Sequence, residues 1–404
     1  MNAAAAKNRF LTTRQFAVFL TGLCCFINLY SMQAILPLLS DVFHASAADV
    51  ATVVTAGTLA VALVAPFTGA AADVVGRKRV IIAAMFIVTI PTFMAALSGS
   101  LPELVFWRFA QGVILPPIFV VIIAYIGEEW PRHEATTAAG VYSSGASIGG
   151  FTGRLITGAF SDVIGWRGAV ALLAAITLAC AVAVAVLLPR EKKFVRSEGL
   201  GVSLKQMLEH FRNPQLVATY AVGFGVLFNF IATFSFISFR LAAPPYNLSA
   251  TALGTIFVVY LSGSMLTPLA GWVVGRFGRR RFMMANFAMW AFGVALTLAE
   301  PLWLIILGLT LCAACGLITQ AISTGYVTVT AQFGRSSAVG LYVTSFYLGG
   351  SVGGTLGGIA WTHGGWPACA AMAGSMLAIM ASVVFFAWAK RVPAAQATTP
   401  VEPP

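Results

Sequence analysis

Two arginines stand inside long apolar stretches of the sequence, where a charged side chain is costly unless it has a partner or a function. Arg108 lies in LVFWRFAQG and Arg154 in GGFTGRLITG. A guanidinium in such a place can bind an anionic group, change the pKa of a nearby acid such as Glu103, or donate hydrogen bonds within the fold. For Arg154 the alternative is a side chain that extends to the nearby membrane surface.

The other polar side chains that could form a substrate or coupling site sit in the same apolar stretches or at their ends. They are Asn28, Tyr30, Gln33, Asp41 and Gln111. No aspartate or glutamate falls in the middle of an apolar stretch. A cavity built from amides, aromatic rings and arginines, without a carboxylate, suits neutral or anionic solutes better than lipophilic cations.

Enzymatic chemistry finds no support in the sequence. The four histidines lie in loops, and no HExxH, Walker or nucleophile-elbow pattern occurs. The six cysteines lie in apolar segments, without the polar setting of a zinc or redox pair. We therefore predict no catalytic residues, no metal and no cofactor. Because the terminal tails are short, we do not expect the output domain of a sensor.

Composition places the chain in the membrane class. Of its 404 residues 59% are apolar and only 9% are charged, against about 25% charged in soluble domains. The 24 basic residues outnumber the 13 acidic ones. Because membrane proteins collect lysine and arginine in their cytoplasmic loops, this excess does not indicate a nucleic-acid partner. The expected partners are the lipid bilayer and a small-molecule substrate.

Apolar stretches of about 20 residues, each long enough to cross a bilayer as a helix, occur twelve times. This predicts an all-α membrane protein with two six-helix bundles, residues 1–189 and 216–404, joined by a polar cytoplasmic linker, 190–215. The predicted spans are 15–39, 50–72, 80–98, 102–126, 135–160, 167–188, 216–239, 250–274, 282–299, 302–324, 337–361 and 366–389.

The distribution of positive charge supports this count. Twenty of the 24 lysines and arginines fall in segments that twelve spans put on one side of the membrane, together with both termini. Since positive residues stay inside, we predict cytoplasmic termini. The other four are Arg108, Arg154, Arg167 and Arg240; the last two lie at span ends and are expected to be interfacial anchors.

The second half of the sequence repeats the first. Residues 140–166 and 340–366 align without gaps at an offset of 200, with eight identities, and GAAADVVGRKR (69–79) has an echo in GWVVGRFGRRR (271–281). Two parallel six-helix repeats are typical of transporters that rock one half against the other. Gly354 stands at the position of Arg154 in the second copy.

Several motifs resemble those of the major facilitator superfamily. GAAADVVGRKR matches its signature loop through Gly69, Ala72, Asp73, Gly76, Arg77 and Lys78, with Gly278, Arg279 and Arg280 in the second copy. LVFWRFAQG is similar to the fourth-helix motif, and GASIGG resembles the fifth-helix antiporter motif with Ala146 in place of proline. The GRLITG and QAILPLL runs resemble the YnfM-like branch of bacterial inner-membrane permeases.

The resemblance implies an alternating-access transporter in the bacterial inner membrane. We expect proton-coupled efflux of a drug or metabolite, by a monomer, with import of an organic anion or sugar as the alternative. It implies that contacts of the signature loop latch the outward-facing state. It also implies that glycine-rich faces of helices five and eleven meet the opposite half. These helix-interface glycines are Gly145, Gly149, Gly150, Gly153, Gly349, Gly350 and Gly353.

Overall fold

A computed structural model describes residues 12–191 and 206–388, with the backbone alone for 69–75, 132 and 336. These residues form twelve helices, one over each predicted span. Nine helical stretches of the described residues, two of which contain a sharp bend, are long and apolar enough to cross a membrane; Arg279–Leu296 is not among them. The first ten helices have the following bounds: α1, Thr13–Phe43; α2, Ala47–Val75; α3, Arg77–Leu97; α4, Leu101–Glu129; α5 and α6, joined in Arg132–Leu187; α7, Pro214–Ala242; α8, Ala250–Phe277; α9, Arg279–Leu296; and α10, Leu302–Thr330. The last two, α11 and α12, are joined in Arg335–Ala387.

Helix starts follow local signals in the sequence. Thr12 begins α1 with a capping box, in which its side chain accepts from the Gln15 amide and the Gln15 side chain accepts in return. Asn213 caps α7 just before Pro214, a residue that fits the first turn because its missing N–H is not needed there. Ser100 caps α4.

Two long helical stretches bend sharply at glycines that the sequence repeat aligns. Arg132–Leu187 turns at Gly165, with φ of 75°, which separates α5 (132–164) from α6 (166–187). Arg335–Ala387 turns at Gly365, with φ of 57°, which separates α11 from α12. A positive φ favours glycine because it has no Cβ. The repeated Gly-Trp pair therefore builds the same helical bend in each half.

The helices form two six-helix bundles, α1–α6 and α7–α12. Because an even number of spans returns the chain to the face on which it started, residues 12 and 388 are assigned to one face. We call this face the termini side and the opposite one the distal side. The linker prediction for 190–215 falls mostly on residues 192–205, outside the described part. Residues 206–210 are helical, and His210 contacts the Gly334 carbonyl oxygen at 3.1 Å.

Most of the helix-interface glycines named from the sequence pack within a bundle, while other glycines of the same two helices, Gly158, Gly354 and Gly358, contact the opposite bundle. A Cβ on five of the glycines named from the sequence would lie 2.0–2.4 Å from a carbonyl oxygen of the neighbouring helix. Small residues let the helix backbones approach this closely. The contacts are Gly145–Phe19, Gly149–Leu23 and Gly153–Ile27 between α5 and α1, and Gly349–Phe224 and Gly353–Phe228 between α11 and α7. Gly350 also packs on α7, against Leu227, whereas Gly150 lies beside Arg154.

Candidate functional site

A cavity of about 1010 Å³ lies between the two bundles and is lined by both. Its wall is largely aromatic and apolar, which is usual for sites that bind small organic molecules. Among the described lining residues, Arg154 is the sole charged side chain. The aromatic lining residues are Phe26, Tyr30, Phe119, Tyr142, Phe151, Phe230, Tyr260, Tyr342, Phe346 and Tyr347.

The cavity extends to the termini side. Thr137 and Gly140, near the start of α5, line it together with Thr324 and Gly325, near the end of α10. A Cβ on Gly140 or Gly325 would meet no other atom within 4 Å. No neighbouring helix therefore closes the cavity at these two glycines.

On the distal side, α5 and α8 close the cavity through direct backbone contact between the bundles. A Cβ on Gly158 would lie 2.4 Å from the Ala250 carbonyl oxygen, and one on Gly254 would lie 2.8 Å from the Arg154 carbonyl oxygen. The Asp162 carboxylate also accepts hydrogen bonds from the Thr251 amide, at 2.9 Å, and hydroxyl, at 2.6 Å.

A second pair of helices, α2 and α11, seals the same side. A Cβ on Gly358 would lie 2.8 Å from the Ala48 Cα, and the Thr58 and Ser351 hydroxyls are 2.8 Å apart. At Gly354, the repeat position of Arg154, a Cβ would lie only 2.2 Å from Thr55 Cγ2. An arginine does not fit in the second copy because α2 occupies the space.

Arg154 lies at the closed end of the cavity and is 3% exposed. Its Nε and Nη2 donate to Gln33 Oε1 at 3.0 and 2.7 Å, and its Nη1 donates to the Gly150 carbonyl oxygen at 2.7 Å. The rings of Tyr30, Phe257 and Tyr260 lie 4.5–4.9 Å from the guanidinium carbon. The side chain therefore faces the protein interior and does not extend to the membrane surface.

Arg108 lies outside the cavity and serves as a hydrogen-bond hub. Its guanidinium donates to the Asn28 and Val53 carbonyl oxygens, at 2.9 and 3.2 Å, and to the Leu29 carbonyl oxygen and Gln111. The α-helical part of α1 ends at Leu29, and the Asn28 carbonyl oxygen also accepts from the Ser31 hydroxyl at 3.1 Å. Arg108 joins this break in α1 to α2 and α4, and it is 1% exposed.

The other predicted cavity residues divide between this hub and the surroundings of Arg154. Asn28 and Gln111 both hydrogen-bond to Thr92, and none of the three lines the cavity. Gln33 lies directly behind Arg154 and donates to Ser235 of α7 at 3.0 Å. Asp41 is exposed, at the distal end of α1. Of the predicted set, only Arg154 and Tyr30 line the cavity.

The signature loop begins α3 and is joined to two acidic residues that the sequence reading missed. Gly76 precedes α3 with φ of 103°. The Glu191 carboxylate accepts from the amides of Arg77 and Lys78, at 2.7 and 3.2 Å, as expected of an anion at a helix N-terminus. The Arg77 guanidinium pairs with Glu128. Only the backbone of Gly69 and Asp73 is described, so the predicted latch role of Asp73 stays a prediction.

The second copy of the loop has aromatic partners where the first has acidic ones. Gly278, with φ of 82°, precedes α9. The Arg279 guanidinium lies 4.5 Å from the ring centre of Tyr326, and that of Arg280 lies 4.2 Å from Phe385. The repeat thus retains the backbone turn and the cations, while the interactions of those cations differ between the halves.

Comparison with known proteins agrees with this architecture. The chain is 32% identical over 367 residues to the inner membrane transport protein YnfM of Escherichia coli, covering 90% of this chain and 87% of the relative. It is 31% identical over 354 residues to an uncharacterized transporter of Buchnera aphidicola from Baizongia pistaciae, covering 87% of each.

Solved structures share the fold at low sequence identity. The nucleoside transporter NupG superposes with a TM-score of 0.77 at 15% identity, covering 93% of this chain and all of NupG. An inward-facing, occupied bacterial homologue of the lysosomal transporter Spinster gives 0.74 at 16%, covering 92% and 96%. The family model described as Major Facilitator Superfamily matches residues 18–242 and 222–403. The chain therefore belongs to the Major Facilitator Superfamily and is a multi-pass membrane transporter.

Proposed function

We propose that this transporter exports a small organic solute by alternating access, coupled to inward proton flow. The observation that carries the proposal is a cavity shared by both bundles, open on the termini side and sealed on the distal side. With cytoplasmic termini, as the charge bias predicts, the cavity is open to the cytoplasm. This is the state in which an exporter loads its solute. No ATP-binding motif occurs, so a gradient supplies the energy.

Proton coupling requires a group that binds and releases the proton during transport. None of the described lining residues is an aspartate or glutamate. The coupled proton would therefore bind to the solute itself, or to an acidic group at a gate, such as Asp162 or Glu191. Import of an organic anion or sugar is the second candidate, because the same cavity can release a solute to the cytoplasm.

Transport is tested with purified protein in proteoliposomes. A thermal-shift screen of sugars, nucleosides, amino acids and aromatic acids identifies a stabilising solute, since a ligand that binds the folded state raises its melting temperature. We expect counterflow of that radiolabelled solute, accelerated by a pH gradient that favours export. Absence of counterflow by a stabilising solute would refute the transport proposal. Counterflow that neither responds to nor dissipates a pH gradient would refute proton coupling.

The Asp162–Thr251 contact predicts a change in access that does not require a known substrate. Removal of the carboxylate in Asp162→Ala deletes hydrogen bonds that join the bundles on the distal side. A cysteine introduced at Ser147 in the cavity reports this change through its rate of labelling by a reagent added on the distal side. We expect this rate to rise roughly fivefold, because the lost hydrogen bonds stabilise the closed state by about 1 kcal/mol. The native cysteines are buried and give a low background.

Asp49→Ala is the matched control for this measurement. Asp49 is exposed near the distal end of α2, but its carboxylate accepts from Ser46 in the same bundle. Its removal should leave the labelling rate unchanged. Equal rates in Asp162→Ala and wild type would show that the carboxylate does not hold this side closed.

A further inference from the structure

Arg154 is a buried cation whose partners do not neutralise it. The described residues form no ion pair with it, and its acceptors are the Gln33 amide oxygen and the Gly150 carbonyl oxygen. A buried charge without a counter-charge is costly, and a carboxylate is a stronger acceptor than an amide oxygen. The cavity therefore contains a positive group that is incompletely compensated in this state.

The guanidinium also retains hydrogen-bonding capacity. It has five N–H groups, and the described residues accept from three of them. The two remaining hydrogens are on Nη1 and Nη2, one on each. Because aromatic rings lie next to the guanidinium, an oxygen would bind at its edge. Two oxygens of one anionic group match that edge.

We propose that Arg154 binds the anionic group of the transported solute, which is an organic anion with a flat apolar body. When the site is empty, Gln33 supplies a neutral oxygen to Arg154. The proposal rests on the proposed transport function and names the solute class of that cavity. The apolar body would pack among the aromatic lining residues, including Phe26, Phe230 and Tyr347, which provide large contact area and no competing charge.

The position of Arg154 fits a site that serves both states of an alternating-access cycle. Gln33 of α1 receives two hydrogen bonds from Arg154 and donates one to Ser235 of α7, across the two bundles. The Arg154 backbone itself packs on Gly254 of α8. An anion bound here therefore lies where the bundles meet on the distal side, at the boundary between the open cavity and the seal.

The test measures binding by the full-length protein in detergent. The probes are benzoate, phenylacetate and 2-naphthoate, each compared with its own amide, by thermal shift and calorimetry. We expect at least one acid to bind about 10- to 100-fold more tightly than its amide, as for a charge-assisted pair of hydrogen bonds. Arg154→Gln should abolish this preference. Arg167→Gln, an exposed arginine on the distal side, should preserve it.

Substitutions of Gln33 test the same site without removing the arginine. Gln33→Glu places a permanent carboxylate against the guanidinium and should abolish the preference for acids. Gln33→Leu removes the internal oxygen and should preserve or strengthen it. Because Gln33→Glu adds a favourable partner for Arg154, it remains informative even if Arg154→Gln does not fold.

Two results would overturn the anion site. One is that no acid binds wild type more tightly than its amide, and the other is that the preference persists in Arg154→Gln or Gln33→Glu. These results are separable from failure of the proposed function. An acid that binds through Arg154 but shows no counterflow in proteoliposomes would refute transport and leave the anion site standing.

Discussion

Replacing Gly158 by leucine is expected to trap the transporter open on the distal side and reduce counterflow about tenfold or more. A Cβ at this position would lie 2.4 Å from the Ala250 carbonyl oxygen, which is backbone and cannot rotate away. Overpacking of this kind costs about 1–3 kcal/mol, which shifts a two-state equilibrium by about 5- to 150-fold. Gly358→Leu should act in the same way, because Gly358 meets Ala48 across the second pair of sealing helices.

Distal labelling of a cysteine at Ser147 reports the trapping directly. Labelling should rise in Gly158→Leu and Gly358→Leu. In Gly127→Leu it should remain at the wild-type rate, because Gly127 is exposed and a Cβ there meets no other atom within 4 Å. Normal counterflow by Gly158→Leu would show that the contact with Ala250 is not required to close this side.

Gly149→Leu separates packing within a bundle from closure between bundles. Gly149 contacts Leu23 of the same bundle, so its leucine variant should lower the melting temperature and yield of folded protein. Distal labelling of the protein that does fold should not rise. A stable Gly149→Leu protein with increased distal labelling would instead assign this glycine to the moving surface.

Replacing Arg108 by methionine is expected to prevent stable folding. The substitution leaves the Asn28, Leu29 and Val53 carbonyl oxygens without their guanidinium donor in a buried region. Each buried carbonyl oxygen left without a donor costs about 1–3 kcal/mol. Thermal unfolding in detergent should show a large loss of stability, and Arg108→Lys should recover only part of it, because an ammonium cannot reach all four acceptors in the planar arrangement.

Arg154→Gln is the control for the Arg108→Met measurement. It also removes a buried arginine, but one that faces a cavity and whose main partner, Gln33, keeps its bond to Ser235. We expect it to remain folded. A stable but inactive Arg108→Met protein would contradict the hub and return Arg108 to the solute pathway.

The sequence predicted the helices well because the membrane imposes a strong one-dimensional constraint. Every backbone polar group in the bilayer must be satisfied, so each apolar stretch of sufficient length becomes a helix. The bends at Gly165 and Gly365 coincide with a Gly-Trp pair that both halves of the repeat contain, but the repeat alone did not predict a bend there. Residues 192–205, most of the predicted linker, lie outside the described part and this prediction stands untested.

The candidate site was less predictable. Arg108 and Arg154 are alike in the sequence, each an arginine in an apolar helix, yet one is a hub and the other lines the cavity. Phe257 and Tyr260, whose rings surround Arg154, carried no signal of their own among so many aromatic residues. Glu191 was similarly unremarkable as one acid in a mixed-charge segment, before its contact with the start of α3 was seen.

By itself, the sequence determined the membrane class, the helices, the duplicated halves and the family motifs, because hydrophobic length, charge bias and repeat spacing are properties of one dimension. Only the tertiary structure decided which glycines pack within a bundle and which close the distal side, and which arginine faces the cavity. Those distinctions depend on what lies opposite each residue. Gly354 shows the reason most clearly: it aligns with Arg154 in the repeat, but Thr55 of another helix fills the space that an arginine would need.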